Sequence, residues 1–230
     1  MKIFFTSTFE LFIKLSKKFS RKGLYIFLKK EFSKIETHKK VLLIGSGGEI
    51  NRILDNYANK NLFFTQSFDI SDKRNPDILG DICKYNFKNN KYDYVVISEV
   101  LEHTHSPHLA IKNINNILNT NGKIILTVPF IFPIHDLPYD YYRFTKYGLE
   151  FLFKEFDDVV ITERNTWIEA INVLFIRLIM EKNYISKIFG ILFTIIFTLL
   201  FPITLLVSRI LKTSYITTGY LLTAKKNNAK

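Results

Sequence analysis

The residues of this chain best suited to chemistry are a short glycine loop, a few carboxylates placed after apolar runs, and two histidines. Gly45-Ser46-Gly47-Gly48 follows an apolar run and precedes a helical pattern at Ile50, Ile53, Leu54 and Tyr57. Glycines at such a point let the backbone turn tightly and approach a ligand without Cβ collisions. The spacing excludes two common uses. A phosphate-cradling loop needs Gly-Lys-Ser/Thr, which is absent. A dinucleotide loop needs a third glycine three positions after the second, where Ile50 stands. A short loop for a nucleoside ligand without a pyrophosphate is left. Asp69, 22 residues after Gly47, is placed to accept hydrogen bonds from both hydroxyls of a ribose. Asp81 can accept from an adenine amino group while Ile82 covers the ring, and Glu99 ends the fourth apolar run. Each aspartate also reads as an ordinary strand-end or helix-capping residue. His103 and His135 follow strand ends and have the near-neutral pKa that general-base work requires. His103, His105 and His108 with Glu99 and Glu102 invite a metal reading. Pro107 turns the chain among them, and His108 reads as exposed near a helix start, so no metal is expected.

These residues need elements to hold them. Strands are expected at 41–44, 61–69, 77–81, 92–98 and 123–128, the last stopped by Pro129. A helix is expected at 108–118, closed by Asn121-Gly122, and another at 147–156. Two further strands are expected, at 158–163 and 215–224. Strands alternating with helices imply parallel pairing through right-handed crossovers, hence an α/β fold with a doubly wound, Rossmann-like, mostly parallel sheet. In such a sheet the ligand sits beyond the carboxyl ends of the strands.

The chain has 230 residues and a formal net charge of +11, enough length for one α/β domain and an appendage. Residues 1–40 hold eleven Lys and Arg against three Glu, so most of the excess charge sits in that arm. The single cysteine, Cys83, excludes an internal disulfide framework and a cysteine-based zinc site, and fits a reducing cytosol. No secretory signal is read at the N-terminus, because Glu10 and Lys14 interrupt the apolar start. On a helix, Phe5, Phe9, Phe12, Ile13 and Phe19 share one face, and Lys14, Lys17, Lys18, Arg21 and Lys22 the other. A second basic-apolar stretch over 24–35 follows Gly23.

Across residues 38–165 the sequence resembles the class I S-adenosylmethionine-dependent methyltransferases of the small-molecule "type 11" group. The motifs are the run 41–48, Phe68-Asp69-Ile70, Gly80-Asp81-Ile82, the segment 92–103 ending Val100-Leu101-Glu102-His103, and the segment 121–129. The segment 133–145, with His135-Asp136 and Asp140-Tyr141-Tyr142-Arg143, resembles a subgroup associated with surface-glycan and cell-envelope genes. The resemblance implies S-adenosyl-L-methionine as cofactor, held by Gly45, Ser46, Gly47, Asp69, Asp81, Ile82 and Glu99. It implies a hydroxyl acceptor near Asp140, Tyr141 and Arg143, with His135, and secondarily His103, as the base. The competing reading of 133–145 is a rigid loop with Arg143 paired to Asp140. The chain departs from the family at Leu43, where an acidic residue that holds the methionine amino end is usual, and at Glu49, where a glycine is usual.

Residues 188–211 form a run of 24 with Arg209 as its one charge. A straight helix of that length would be about 36 Å long, enough to cross a bilayer core. A single crossing would strand the last strand on the wrong side of its sheet, and Pro202 splits the run. With another apolar helix over 167–180, the expectation is a hairpin dipping into one leaflet, or else a lid or dimer interface. The domain plan is therefore a basic amphipathic segment 1–37, a methyltransferase domain 38–166 with 213–226, and an apolar insert 167–212. The expected partners are an anionic membrane surface and a small-molecule or lipid-linked acceptor, with a homodimer possible and no nucleic acid. The expected location is cytoplasmic, peripheral or monotopic on the inner face of the cell membrane.

Overall fold

A computed structural model describes residues 2–211, 213 and 215–227, with side chains from residue 10 onward. In chain order the elements are α1 (Lys2–Phe32), β1 (Lys40–Ile44), α2 (Gly48–Asn61), β2 (Phe64–Asp69), β3 (Ile78–Leu79) and β4 (Tyr92–Ser98). These are followed by α3 (Pro107–Ile117), β5 (Leu118–Pro129), α4 (Lys146–Leu152), β6 (Phe156–Glu163), α5 (Trp167–Arg177), α6 (Tyr184–Leu199), α7 (Phe201–Ile210) and β7 (Gly219–Lys226). Short 3-10 turns cover Asp72–Arg74, Leu101–His103 and Leu178–Met180.

One seven-stranded sheet runs in the order β3-β2-β1-β4-β5-β7-β6. The pairs β2–β3, β1–β2, β1–β4 and β4–β5 are parallel, so the expected doubly wound sheet is present. Asn227 bonds Asp157 at one end of β6 and Arg164 N–H bonds Gly219 O at the other, so β7 runs antiparallel to β6. In β1, Val41, Leu42, Leu43 and Ile44 are all buried, as a central strand covered on both faces requires. Leu42 and Ile44 pack in one core with Val95, Ile97, Leu126 and the inner face of α3 (Ala110, Ile111, Ile114). Both β1 and β4 end at the chain reversals that carry the candidate residues.

Several boundaries differ from expectation for local reasons. Asn61 ends α2 and Leu62 takes a left-handed conformation, so β2 starts at Phe64 rather than residue 61. The helix expected to close at Asn121-Gly122 stops at Ile117. Leu118, almost fully buried, already pairs opposite Tyr92. The register then jumps from Tyr92↔Leu118 to Tyr94↔Lys123, so the residues between, including Asn121 at φ 62°, bulge out of the ladder. The α4 helix ends at Leu152, because Phe153 turns into the core against Phe156. The last strand begins at Gly219 rather than 215. Thr217 and Thr218 are buried and bonded to the Asn165 side chain.

By backbone contacts the chain divides into two compact units. One comprises Tyr25–Phe130, Ile134–Thr162 and Tyr220–Lys230, and the other Met1–Leu24, Ile131–Pro133 and Glu163–Gly219. The first holds most of the sheet and every candidate site residue. In the second, α1 is one continuous helix through Gly23. Its most buried positions there are Ser16, Ser20 and Leu24, spaced four apart. The side chains of Phe5 and Phe9 lie outside the described residues. Small side chains admit close contact: Ser16 donates to Ile176 O, and Ser20 accepts from Arg177 Nη2 at 2.6 Å. Lys22 pairs with Glu169 at 3.6 Å and lies over Phe201, whereas Lys14, Lys17 and Lys18 are exposed.

The apolar run breaks at Leu200, where α6 and α7 bend by 71°. Among the described residues no single helix is long and apolar enough to cross a membrane. Along α6, Ile185, Ile188, Phe189, Leu192, Ile195 and Leu199 form an exposed stripe at helical spacing, continued on α7 by Ile203, Leu206 and Ile210. The opposite side of α6 is tightly packed. A Cβ on Gly190 would lie 2.1 Å from Ile179 N. Alanine normally favours a helix over glycine by about 1 kcal/mol, yet overpacking against backbone costs about 1–3 kcal/mol. Gly190→Ala is therefore expected to lower the melting temperature, and an unchanged or raised value would refute this packing.

Candidate functional site

A cleft of about 640 Å³ opens at the carboxyl ends of β1, β2 and β4, inside the usual range for small-molecule sites of roughly 300–1,000 Å³. Gly45, at the end of β1, lines its floor with φ 90°. A Cβ there would meet Val100 Cγ2 at 2.4 Å, so both conformation and space demand glycine. Ser46 is buried behind the wall, and Gly47, with φ 87°, caps α2. The glycine loop therefore contributes Gly45 to the cleft surface, and Ser46 and Gly47 act through its shape.

Asp69 ends β2 and is nearly buried. Its Oδ2 accepts from Ser46 N–H at 2.8 Å and its Oδ1 from Ser71 N–H at 2.8 Å, with Arg74 Nη1 3.7 Å away. One carboxylate thus ties the glycine loop to the loop after β2. Each oxygen keeps a second lone pair for a ligand, and Asp69 lines the cleft. Asp81 and Ile82 line the same side. Asp81 Oδ1 also accepts from Cys83 N–H at 2.9 Å, so its capping reading holds as well. Glu99, at φ 54° directly after β4, lines the cleft and accepts from Thr127 Oγ1 at 2.9 Å.

The two departures from the family pattern face elsewhere. Leu43 is a core residue of β1. Glu49 pairs with Arg52 through two hydrogen bonds of 3.0 and 2.6 Å, which hold its carboxyl below the usual range.

At the other end, His103, Asp136, Tyr139 and Tyr141 line the cleft. The 3-10 turn Leu101–His103 and the segment 134–145 are tied together by backbone: Tyr141 and Tyr142 N–H both donate to Glu102 O. His103 Nδ1 lies 2.9 Å from Tyr139 O. His135 packs edge-on against His103, with ring centroids 5.0 Å apart, and its Nδ1 lies 3.2 Å from Asp140 Oδ2. Asp140 and Arg143, expected to contact an acceptor, instead form a two-pronged ion pair with the Asp140 side chain buried. This is the rigid-loop alternative. Burial alone would raise the Asp140 carboxyl, but the Arg143 guanidinium and the His135 backbone N–H bring it down to about 2. Tyr141 is the member of that expected trio that reaches the cleft.

Sequence reasoning assigned no site role to Arg74, Val100, Thr104 or Tyr139, all of which line the cleft. They lie on irregular segments with no periodic signal. Glu102, named from sequence only beside the histidine run and within a family motif, is fully buried. Burial pushes this carboxyl above the usual range, against the opposing pull of His135. The run of His103, His105 and His108 that invited a metal reading does not come together: His105 and His108 are exposed, and among the described residues His105 groups with Asp81 and Cys83, whereas His103 groups with Glu102 and His135.

The family described as a methyltransferase domain matches residues 17–172. No curated protein matches the chain. Among solved structures, the chain is similar to Haemonchus contortus phosphoethanolamine N-methyltransferase 2 in complex with S-adenosyl-L-methionine. That likeness has a TM-score of 0.60 at 15% identity over 90% of this chain and 53% of the other, so the chain spans about half the length of that enzyme. It is also similar to a putative methyltransferase from Bacillus halodurans, with TM-score 0.52, 11% identity, and 87% and 97% of the two chains covered. A putative sarcosine dimethylglycine methyltransferase from Galdieria sulphuraria gives TM-score 0.54 at 12% identity over 91% and 86%. At these identities the likeness is one of fold. The family match covers more than half of the sequence, and by it the chain belongs to the class I S-adenosylmethionine-dependent methyltransferases.

Proposed function

We propose that this chain transfers a methyl group from S-adenosyl-L-methionine to a hydroxyl of a small or lipid-linked glycan acceptor at the cytoplasmic face of the cell membrane. The observation that carries the reading is a single cleft with Gly45, Asp69 and Asp81 at one end and His103, Asp136 and Tyr141 at the other. When bound, the cofactor supplies an electrophilic methyl on a sulfonium. Asp69 receives the ribose hydroxyls on its remaining lone pairs, Asp81 the adenine amino group, and Ile82 covers the ring. Glu99 stands in for the carboxylate missing at Leu43 and holds the methionine ammonium. Methyl transfer needs in-line positioning more than covalent help, and Tyr139 and Tyr141 shape that approach. His103 faces the acceptor, and His135, held by Asp140, supports it from behind.

The membrane part of the proposal rests on one compact unit that combines the exposed apolar stripe of α6 and α7 with exposed Lys14, Lys17 and Lys18 on α1. Such a surface suits an anionic lipid leaflet better than nucleic acid. Calorimetry with S-adenosylmethionine and S-adenosylhomocysteine tests the enzymatic part. Micromolar binding of both is expected. Absence of heat at millimolar ligand would leave a methyltransferase fold serving only as a membrane-tethered binding module.

A further inference from the structure

Glu102 is fully buried, yet neither carboxylate oxygen has a partner at hydrogen-bonding distance. A buried anion without donors is strongly unfavourable, so its surroundings should supply positive charge. Two imidazole nitrogens lie close by, His103 Nε2 at 3.7 Å and His135 Nε2 at 3.8 Å from Glu102 Oε1. The other ring nitrogens fix the tautomers. A carbonyl oxygen only accepts, so His103 Nδ1, bonded to Tyr139 O, is the protonated nitrogen. His135 Nδ1 faces the Asp140 carboxylate and is protonated for the same reason. With both rings neutral and Glu102 ionised, each Nε2 turns its lone pair toward the carboxylate. Three acceptors converge there.

Such a donor set fits a cation. The ligand atoms of Glu102, His103 and His135 all lie within 4.8 Å of one another. Tetrahedral zinc, with bonds near 2.0–2.1 Å, sets neighbouring ligand atoms about 3.3 Å apart. The observed 3.7 and 3.8 Å exceed a hydrogen bond and close onto an ion with shifts of a few tenths of an ångström. Histidine ligands characteristically donate their second ring N–H to a carbonyl or carboxylate, the roles Tyr139 O and Asp140 fill here. The alternative cluster of Asp81, Cys83 and His105 is less suited. Its thiol already contacts Ser106 O, Asp81 Oδ1 is taken by Cys83 N–H, and His105 is exposed.

We propose that Glu102, His103 and His135 bind one divalent first-row transition-metal ion of the zinc class, with a further coordination position facing the cleft. Asp136 Oδ2, 3.8 Å from His103 Nε2 and exposed, borders that position. Two imidazoles and one carboxylate suit zinc, cobalt or ferrous iron rather than magnesium. The coordination does not depend on methyl transfer. That the open position takes an acceptor oxygen, polarised by the ion, rests on the methyltransferase reading.

The test uses the untagged full chain freed of metal by a chelator. Calorimetric titration with Zn²⁺ is expected to give one ion per chain with a micromolar or tighter Kd at neutral pH. Co²⁺ is expected to give the visible absorption bands of a four- or five-coordinate site. Glu102→Gln and His135→Ala should each weaken Zn²⁺ binding at least tenfold, while His108→Ala, an exposed position at the start of α3, leaves it unchanged. Melting curves and S-adenosylhomocysteine binding check that the variants fold, and His103→Asn replaces any that does not. Binding no tighter than millimolar would overturn the proposal and leave a proton shared within the triad. Binding lost in His105→Ala but kept in Glu102→Gln would overturn it in favour of the other cluster. Tight Zn²⁺ binding without S-adenosylhomocysteine binding would overturn the methyltransferase reading and leave the metal site standing.

Discussion

Asp69→Ala is expected to weaken S-adenosylhomocysteine binding by about 100-fold or more and to lower the melting temperature by several degrees. The carboxylate accepts from Ser46 N–H and Ser71 N–H, both at 2.8 Å, in a nearly buried setting. Hydrogen bonds to a charged group contribute about 1.5–3 kcal/mol each, and a buried donor left without its partner costs a further 1–3 kcal/mol. The glycine loop loses its tie to the loop after β2 in the same step, so its shape relaxes where Gly45 must meet the ligand. Any ribose contact is lost as well. At 1.4 kcal/mol per factor of ten, about 3 kcal/mol gives the stated effect. Asp69→Asn should fall between the two proteins, since its amide keeps one acceptor oxygen and opposes the other backbone donor with N–H groups. Calorimetry and thermal melts read both consequences. An Asp69→Ala protein that binds within threefold of the parent would remove Asp69 from the ligand and leave it a purely structural tie.

The second large effect concerns the exposed stripe. Vesicles rich in anionic lipid should carry the full chain upward in a density gradient, and Ile188→Glu with Leu192→Glu should reduce the floated fraction at least tenfold. Both side chains are about half exposed on one face of α6. Burying such a side chain in lipid contributes about 1–2 kcal/mol, and each added carboxylate also opposes the surface potential. Lys17→Glu with Lys18→Glu tests the electrostatic part. Each lysine near an anionic surface contributes about 1 kcal/mol, so this pair should weaken flotation and make it less sensitive to salt. Unchanged flotation in the α6 variant would reject membrane contact through this face. Dimerisation of the parent that the same substitutions abolish would give the stripe to a second copy of the chain.

The sequence was legible where one interaction dominated. Val41–Ile44 and Val95–Ile97 within the strand from Tyr92 to Ser98 are continuous apolar runs because both faces of the sheet are covered, and both strands lie as expected. The end of α3 was not legible, because Leu118 satisfies the helical spacing and yet pairs with Tyr92 across the sheet. In the site, strand-end carboxylates marked Asp69, Asp81 and Glu99, whose position follows from strand order alone. The acceptor end was harder to read. Whether Arg143 meets a substrate or Asp140 depends on a loop conformation that spacing does not encode. The convergence of His135 on Glu102 joins residues far apart in the chain, through a turn held by that same ion pair. The serine line of α1 was hidden for another reason. Apolar periodicity gives small hydroxyl residues no weight, although close helix contact favours them.

Glu102 presents two separable functions to evolution. Its backbone carbonyl, which any residue would supply, anchors Tyr141 and Tyr142, while its side chain alone faces His103 and His135. A lineage could exchange this carboxylate for an amide or an apolar group and still inherit the same wall. Such a position gives variation a route to altered chemistry without rebuilding the architecture.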